Sequence, residues 1–120
     1  MVLVGAVTLQ ACTRDLGVEV SMEAGSAVLS FHRNHLVFWS RPASPCVKLI
    51  SVHEAQTDVQ VWAVRPLNRD CVEMSTVSVG AIPTGFKLRG PARSLVQGRV
   101  YYAAVIADTE AGQSDVWVQP

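Results

Sequence analysis

An excess of charge of either sign is missing from this chain: ten Lys and Arg residues balance ten Asp and Glu over 120 residues. A protein that holds nucleic acid by its phosphates carries a strong basic excess, so the balance argues against that class of partner. Hydrophobic runs of membrane-spanning length are missing too. Residues 1–12, "MVLVGAVTLQAC", carry no charge but fall short of the roughly 20 apolar residues that a transmembrane helix needs. No window sustains a helical period, and no Gly- or Ser-rich linker, repeat or low-complexity tract divides the chain. Catalytic signatures are equally scarce, with no G-x-S-x-G elbow, H-E-x-x-H pair, phosphate loop or EF-hand pattern. The three cysteines include no Cys-x-x-Cys of the kind that zinc sites use. The expectation is a non-enzymatic chain that takes no cofactor.

The remaining polar candidates read as structural. His32 and His35 are three apart on a strand and its turn, and an odd spacing sends side chains to opposite faces, which makes them poor joint metal ligands. His53 stands alone beside Glu54 and reads as a surface or rim residue. Asp108, Glu110 and Asp115 flank the last hairpin, where solvated charges are expected. The one local bias is basic, with Lys87, Arg89, Arg93 and Arg99 close together near the end of the chain. It reads as a solvated surface.

What is present is a strand pattern. The chain has room for one domain, and removal of the first eleven residues leaves the size of a single immunoglobulin-type sandwich, about 100 residues. Short runs rich in β-branched and aromatic residues recur at 18–22 (VEVSM), 27–31 (AVLSF), 36–39 (LVFW) and 46–54 (CVKLISVHE). They continue at 58–64 (DVQVWAV), 71–79 (CVEMSTVSV), 99–108 (RVYYAAVIAD) and 115–119 (DVWVQ). Alternation sets Val47, Leu49 and Ser51 against Lys48, Ile50 and Val52. Between the runs lie turn formers: EAGS, RPASP, RPLNRD, VGAIPTG, RGPA and EAGQ. The pattern predicts an all-β fold, an antiparallel sandwich of seven to eight strands.

The most specific stretch is "LVQGRVYYAAVIADTEAGQS", residues 95–114. Leu95 precedes a tight turn at Gly98; Tyr101 then opens an alternating set through Ala103, Val105 and Ala107, closed by Gly112 and Ser114. This resembles the penultimate strand of fibronectin type III and related immunoglobulin-like domains. The resemblance implies that Tyr101 buries its ring and turns its hydroxyl back onto the preceding loop. Trp62, on a central strand, is then a core aromatic under the sheet. An unrelated hairpin with the same spacing is the alternative.

At the other end, "LQAC" (9–12) resembles the processing site of bacterial lipoprotein signals, with an aliphatic residue three before the cysteine and a small one just before it. The uncharged run has the length of a secretory apolar region, about 7–15 residues. No Lys or Arg precedes it, and a start codon further upstream would supply them. On this reading residues 1–11 are a signal segment, Cys12 is lipidated, 12–17 is a short tether and 18–120 is the domain. The alternative is a first β-strand with Cys12 buried behind it. If Cys12 carries lipid, Cys46 and Cys71 remain as a disulfide pair in an oxidising compartment; in a cytosolic protein they would be two buried thiols.

The ordered set "LQAC", "SPC" (44–46), "VQVWAV" (59–64), Cys71, "VGAIPTGF" (79–86), "GPARSL" (90–95) and "GRVYYAAVI" (98–106) resembles one family in particular. It is a family of small bacterial periplasmic lipoproteins assigned as type VI secretion immunity proteins. The resemblance implies a lipid-anchored periplasmic binder of a secreted antibacterial toxin, with the loops VGAIPTGF and RGPARS as contact sites. Thr13, rather than Asp, follows the cysteine, which resembles the signal for outer-membrane delivery. A structural or accessory envelope lipoprotein that binds another envelope protein or glycan is the second expectation. An unlipidated secreted module is the third.

Overall fold

The computed structural model describes residues 14–33 and 44–120; Cys12, the segment 1–11, His35 and the expected strand at 36–39 lie outside the described residues. Chain alternation begins at once. β1 (Arg14–Glu23) takes in most of the expected tether and turns into β2 (Ser26–Arg33), with Glu23 opposite Ser26. Both residues between them have positive φ, Ala24 at 52° and Gly25 at 82°, the conformation that a two-residue hairpin needs to match strand twist. Alanine is disfavoured there, because its Cβ crowds the following carbonyl. Ala24→Asn is expected to stabilise the protein by up to about 1 kcal/mol, read as a higher urea midpoint.

β3 (Cys46–Glu54), β4 (Gln60–Pro66), β5 (Val72–Glu73), β6 (Thr76–Ser78) and β7 (Phe86–Leu88) follow. The chain ends with β8 (Val100–Ala107), β9 (Glu110–Gln113) and β10 (Trp117–Val118). No helix occurs among the described residues. The strands join in the order β6-β2-β1-β9-β8-β3-β4-β7, with β5 on β3 and β10 on β8. All pairings are antiparallel except β1 with β9, where Arg14 and Asp15 run parallel to Glu110 and Ala111. That junction makes the sheet mixed rather than purely antiparallel, and the whole curls into a half-barrel.

Two expected strands and one expected turn are redrawn. The run 71–79 is two strands, because the chain leaves β3 after Glu73 and crosses to β2, where Ser75 O accepts from Phe31 N at 2.8 Å. EAGQ is a strand, not a turn. The reversal comes earlier, where Asp108 Oδ1 accepts from Thr109 N at 2.9 Å. In β3 the register shifts between Val47 and Leu49. A bulge of one residue inverts facing, so Val47, Ile50 and Val52 all point into the core at 0% exposure while Lys48 is exposed.

The interior is filled by Leu16, Leu29, Phe31, Val52, Trp62, Val64, Phe86, Tyr101, Val105 and Trp117. Trp62 and Tyr101 are its largest fully enclosed side chains, and Leu95 packs against it from the side. Tyr101 Oη accepts a 2.8 Å hydrogen bond from Val96 N, which ties the 95–99 loop to the start of β8. Tyr101→Phe removes that acceptor while keeping the ring; a loss of about 1 kcal/mol is expected, with accelerated exchange of the Val96 amide.

Candidate functional site

Cys46 opens β3 and Cys71 precedes β5; register brings Cys46 opposite Glu73 and Val47 opposite Val72. The two cysteines form a disulfide with a Cα–Cα separation of 5.2 Å, closing a loop of sequence separation 25.

Two faces of the central strands differ sharply. One lies on the core. On the other, the pleat of β3 presents Ser51 and His53, β4 presents Ala63 and Arg65, and β8 presents Tyr102 and Ala104. Register sets His53 opposite Tyr102, and their rings stack at 5.1 Å and 13°. Tyr102 Oη donates to Asp58 Oδ1 at 2.9 Å. That acceptor carboxylate holds the Tyr102 phenol above its ordinary range, with some help from burial. The Asp58 carbonyl lies 3.4 Å from His53 Nδ1, and Ser51 Oγ lies 2.9 Å from His53 Nε2. A carbonyl only accepts, so in the neutral ring the tautomer that satisfies both contacts has its proton on Nδ1 and accepts from the Ser51 hydroxyl at Nε2. His53 is therefore not alone, as its sequence neighbourhood suggested; it joins β3, β8 and the 55–59 turn.

A hydroxyl donating to an imidazole is also how a nucleophile meets its base. Here the setting differs. Ser51 sits mid-strand, registered with Ala63 on one side and Ala104 on the other, and is 4% exposed. The network positions the turn, in which Asp58 itself holds a φ of 59°. The spacing Ser51-x-His53 on one strand face was the sequence signal for it; Asp58 and Tyr102 are too distant in sequence to be joined without the register.

Where β3 ends and β8 begins, Arg99 Nη1 donates to Glu54 Oε2 at 2.8 Å. A shallow cleft of about 390 Å³ opens there, lined by Glu54, Gln56, Gly98, Arg99 and Val100. The Arg99 hydrogen bond, opposed by partial burial and assisted by Arg99 charge, Thr57 and Arg93, holds the Glu54 carboxyl below the usual carboxylate range. A carboxyl lowered on folding stabilises the fold above its unfolded value, and the contribution disappears as pH falls through the folded one. Arg99→Gln is expected to raise the Glu54 titration midpoint, followed by side-chain carboxyl NMR; an unmoved midpoint would contradict the pairing.

The acids at the last hairpin are not all solvated. Glu110 is 4% exposed, and its Oε2 lies 2.8 Å from Arg33 Nε, while Arg33 Nη2 lies 3.7 Å from Asp108 Oδ1. The Arg33 Nε–H is not aligned as a hydrogen bond, so the Glu110 contact is one of charge. This cluster fastens the end of β2 to the β8–β9 reversal. His32 lies exposed on β2 opposite Gly17, and a Cβ on Gly17 would occupy the space of its ring.

The segment RGPARS is not a free loop. It continues β7 along β4: Arg89 N donates to Ala63 O at 2.8 Å, and Arg93 N donates to Val61 O at 2.7 Å. Gln60 Nε2 adds a 3.1 Å bond to Arg89 O. Arg65 and Lys87 are directly opposed across β4 and β7. Arg65, Lys87, Arg89 and Arg93 are all exposed, and among the described residues none has a carboxylate within 4.0 Å. The basic residues near the chain's end thus divide: Arg99 is paired with Glu54, while the other three gather with Arg65 on one margin. VGAIPTGF, by contrast, is a true connection from β6 to β7, with Ile82 half exposed and Phe86 in the core.

No protein-family model and no curated protein matches the chain.

Proposed function

We propose that this chain is a non-enzymatic binding protein of the bacterial envelope, anchored by lipid at Cys12, that captures a secreted type VI toxin in the periplasm. The observation that carries the proposal is the Cys46–Cys71 disulfide. Such bonds persist in oxidising compartments, the bacterial periplasm among them. With those two cysteines paired, Cys12 is the odd one of three, and it stands at the end of the uncharged "LQAC" run, where lipid would be attached. Two acyl signals anchor firmly where one does not, and a diacylated, N-acylated cysteine meets that requirement.

The domain reading that goes with it is an immunoglobulin-like sandwich. Neighbour relations support it: β1-β2-β6 on one arm correspond to strands A, B and E, and β3-β8-β9 on the other to C, F and G. Tyr101 and its bond to Val96 occupy the place of the tyrosine corner. The half-barrel is then a sandwich whose two arms stay joined at the β1–β9 pairing. Such a scaffold needs no chemistry of its own, only a complementary surface.

Periplasmic co-production with each effector encoded near this gene tests the proposal. Restored growth is expected; unrelieved toxicity in the presence of folded, exported protein would overturn the immunity role and leave the accessory envelope role. Palmitate labelling that survives Cys12→Ala would overturn the anchor.

A further inference from the structure

We infer that the β4–β7 margin, formed by Arg65, Lys87, Arg89 and Arg93, is the docking surface and that its partner presents a cluster of carboxylates. This rests on the binding reading above and names the surface and the partner's chemistry.

The margin carries an internal cost. Like charges directly opposed across a β ladder repel, and Arg65 faces Lys87 in register. Arg89 follows on the same side of the extended strand, since residues two apart share a face and its amide still bonds β4. No carboxylate among the described residues lies within 4.0 Å of any of the four. The chain does not lack acids, having as many as bases; elsewhere it pairs Arg33 with Glu110 and Asp108, and Arg99 with Glu54. Lys48 and Arg69 are also without such a carboxylate, and Arg93 contributes charge to Glu54. What sets the margin apart is that it opposes two cations in register and continues them along one strip, which favours an external anion there.

Guarding a sheet edge is the usual task of an edge lysine. β7 is only three residues long and runs into Gly90 and Pro91. The strip that continues it to Arg93 is interrupted by Gly90 and Pro91, and a proline already blunts an edge; a second cation on the inner neighbour β4 adds nothing to that. The strip is also held rigid, by the Arg89 and Arg93 amide bonds to β4 and by Gln60 on the Arg89 carbonyl, so that the charges are fixed before a partner arrives. A rigid patch of a few cations on a neutral chain suits the carboxylates of a protein; it gives a long nucleic acid no extended field to follow.

The test uses the folded chain, fluorescent poly-L-glutamate as the probe and duplex DNA of matched charge as comparator. The variant Arg65→Ser/Lys87→Ser is set against Lys48→Ser/Arg69→Ser, which removes the same charge from exposed sites elsewhere. Salt-sensitive binding of poly-L-glutamate is expected, weakened roughly tenfold in the first variant and retained in the second. The first variant's melting temperature should be unchanged or higher, because a repulsion is relieved. Equal weakening in both variants, preference for DNA, or self-association of the first variant with unchanged binding would overturn the inference. In the co-production assay, a first variant that still protects sinks this surface alone, whereas a wild type that fails to protect sinks the toxin reading and leaves the poly-L-glutamate result standing.

Discussion

Replacing Gly112 by alanine is expected to cost about 3 kcal/mol or more and to lower the melting temperature by on the order of 10 °C. The reason is backbone, not side chain. A Cβ at Gly112 would run into the Leu16 carbonyl, with Leu16 Cβ only 3.2 Å away. That approach is where β1 closes on β9 and joins the two arms of the sheet. A carbonyl inside two strands has nowhere to go, so the strands must separate. Gly17→Ala is the matched control: its Cβ also meets a neighbour, but that neighbour is the exposed His32 ring, which can swing away. Gly17→Ala should therefore be mild. Urea denaturation of the two variants checks the contrast, and equal losses would mean that the β1–β9 closure contributes little.

The second large effect is expected from the disulfide. Breaking Cys46–Cys71, by Cys46→Ser/Cys71→Ser or by reduction and alkylation, releases a loop of sequence separation 25. The chain-entropy relation puts the loss at about 3.5 kcal/mol, a large share of the roughly 5–15 kcal/mol on which a domain this size stands. The structural consequence should be local first. β5 has two residues and rests on β3 beside the bond, and the crossing to β6 starts there. Amides of Val72, Glu73 and Met74 should lose exchange protection before those of β8. A urea midpoint that ignores reducing agent would contradict both the bond and its placement.

These two positions also mark what the sequence could and could not disclose. Period-two alternation was readable at β8, where Tyr101, Ala103, Val105 and Ala107 all turn inward. It misled at β3, because a bulge at Lys48 leaves no trace in composition yet reverses which residues face the core. Gly112 looked like a turn former. Its role is close approach, which depends on a strand nearly a hundred residues away in sequence. The disulfide was legible as arithmetic, since an odd third cysteine already had another explanation. The basic margin was half legible. Lys87, Arg89 and Arg93 are close in sequence, but Arg65 joins them only through the β4–β7 register, and Arg99 leaves them through its pair with Glu54. In "SVHE" the two-residue spacing sets Ser51 and His53 on one face, but nothing local announces the Asp58 turn or Tyr102.

Everything functional in this reading starts from an exported chain with one cysteine lipidated and two joined. Intact-mass and peptide analysis of the protein extracted from the cell envelope reads all three at once. The expected result is a chain beginning at an acylated Cys12, with the Cys46 and Cys71 peptides linked until reduction. A soluble chain that keeps residues 1–11 and carries three free thiols would contradict it.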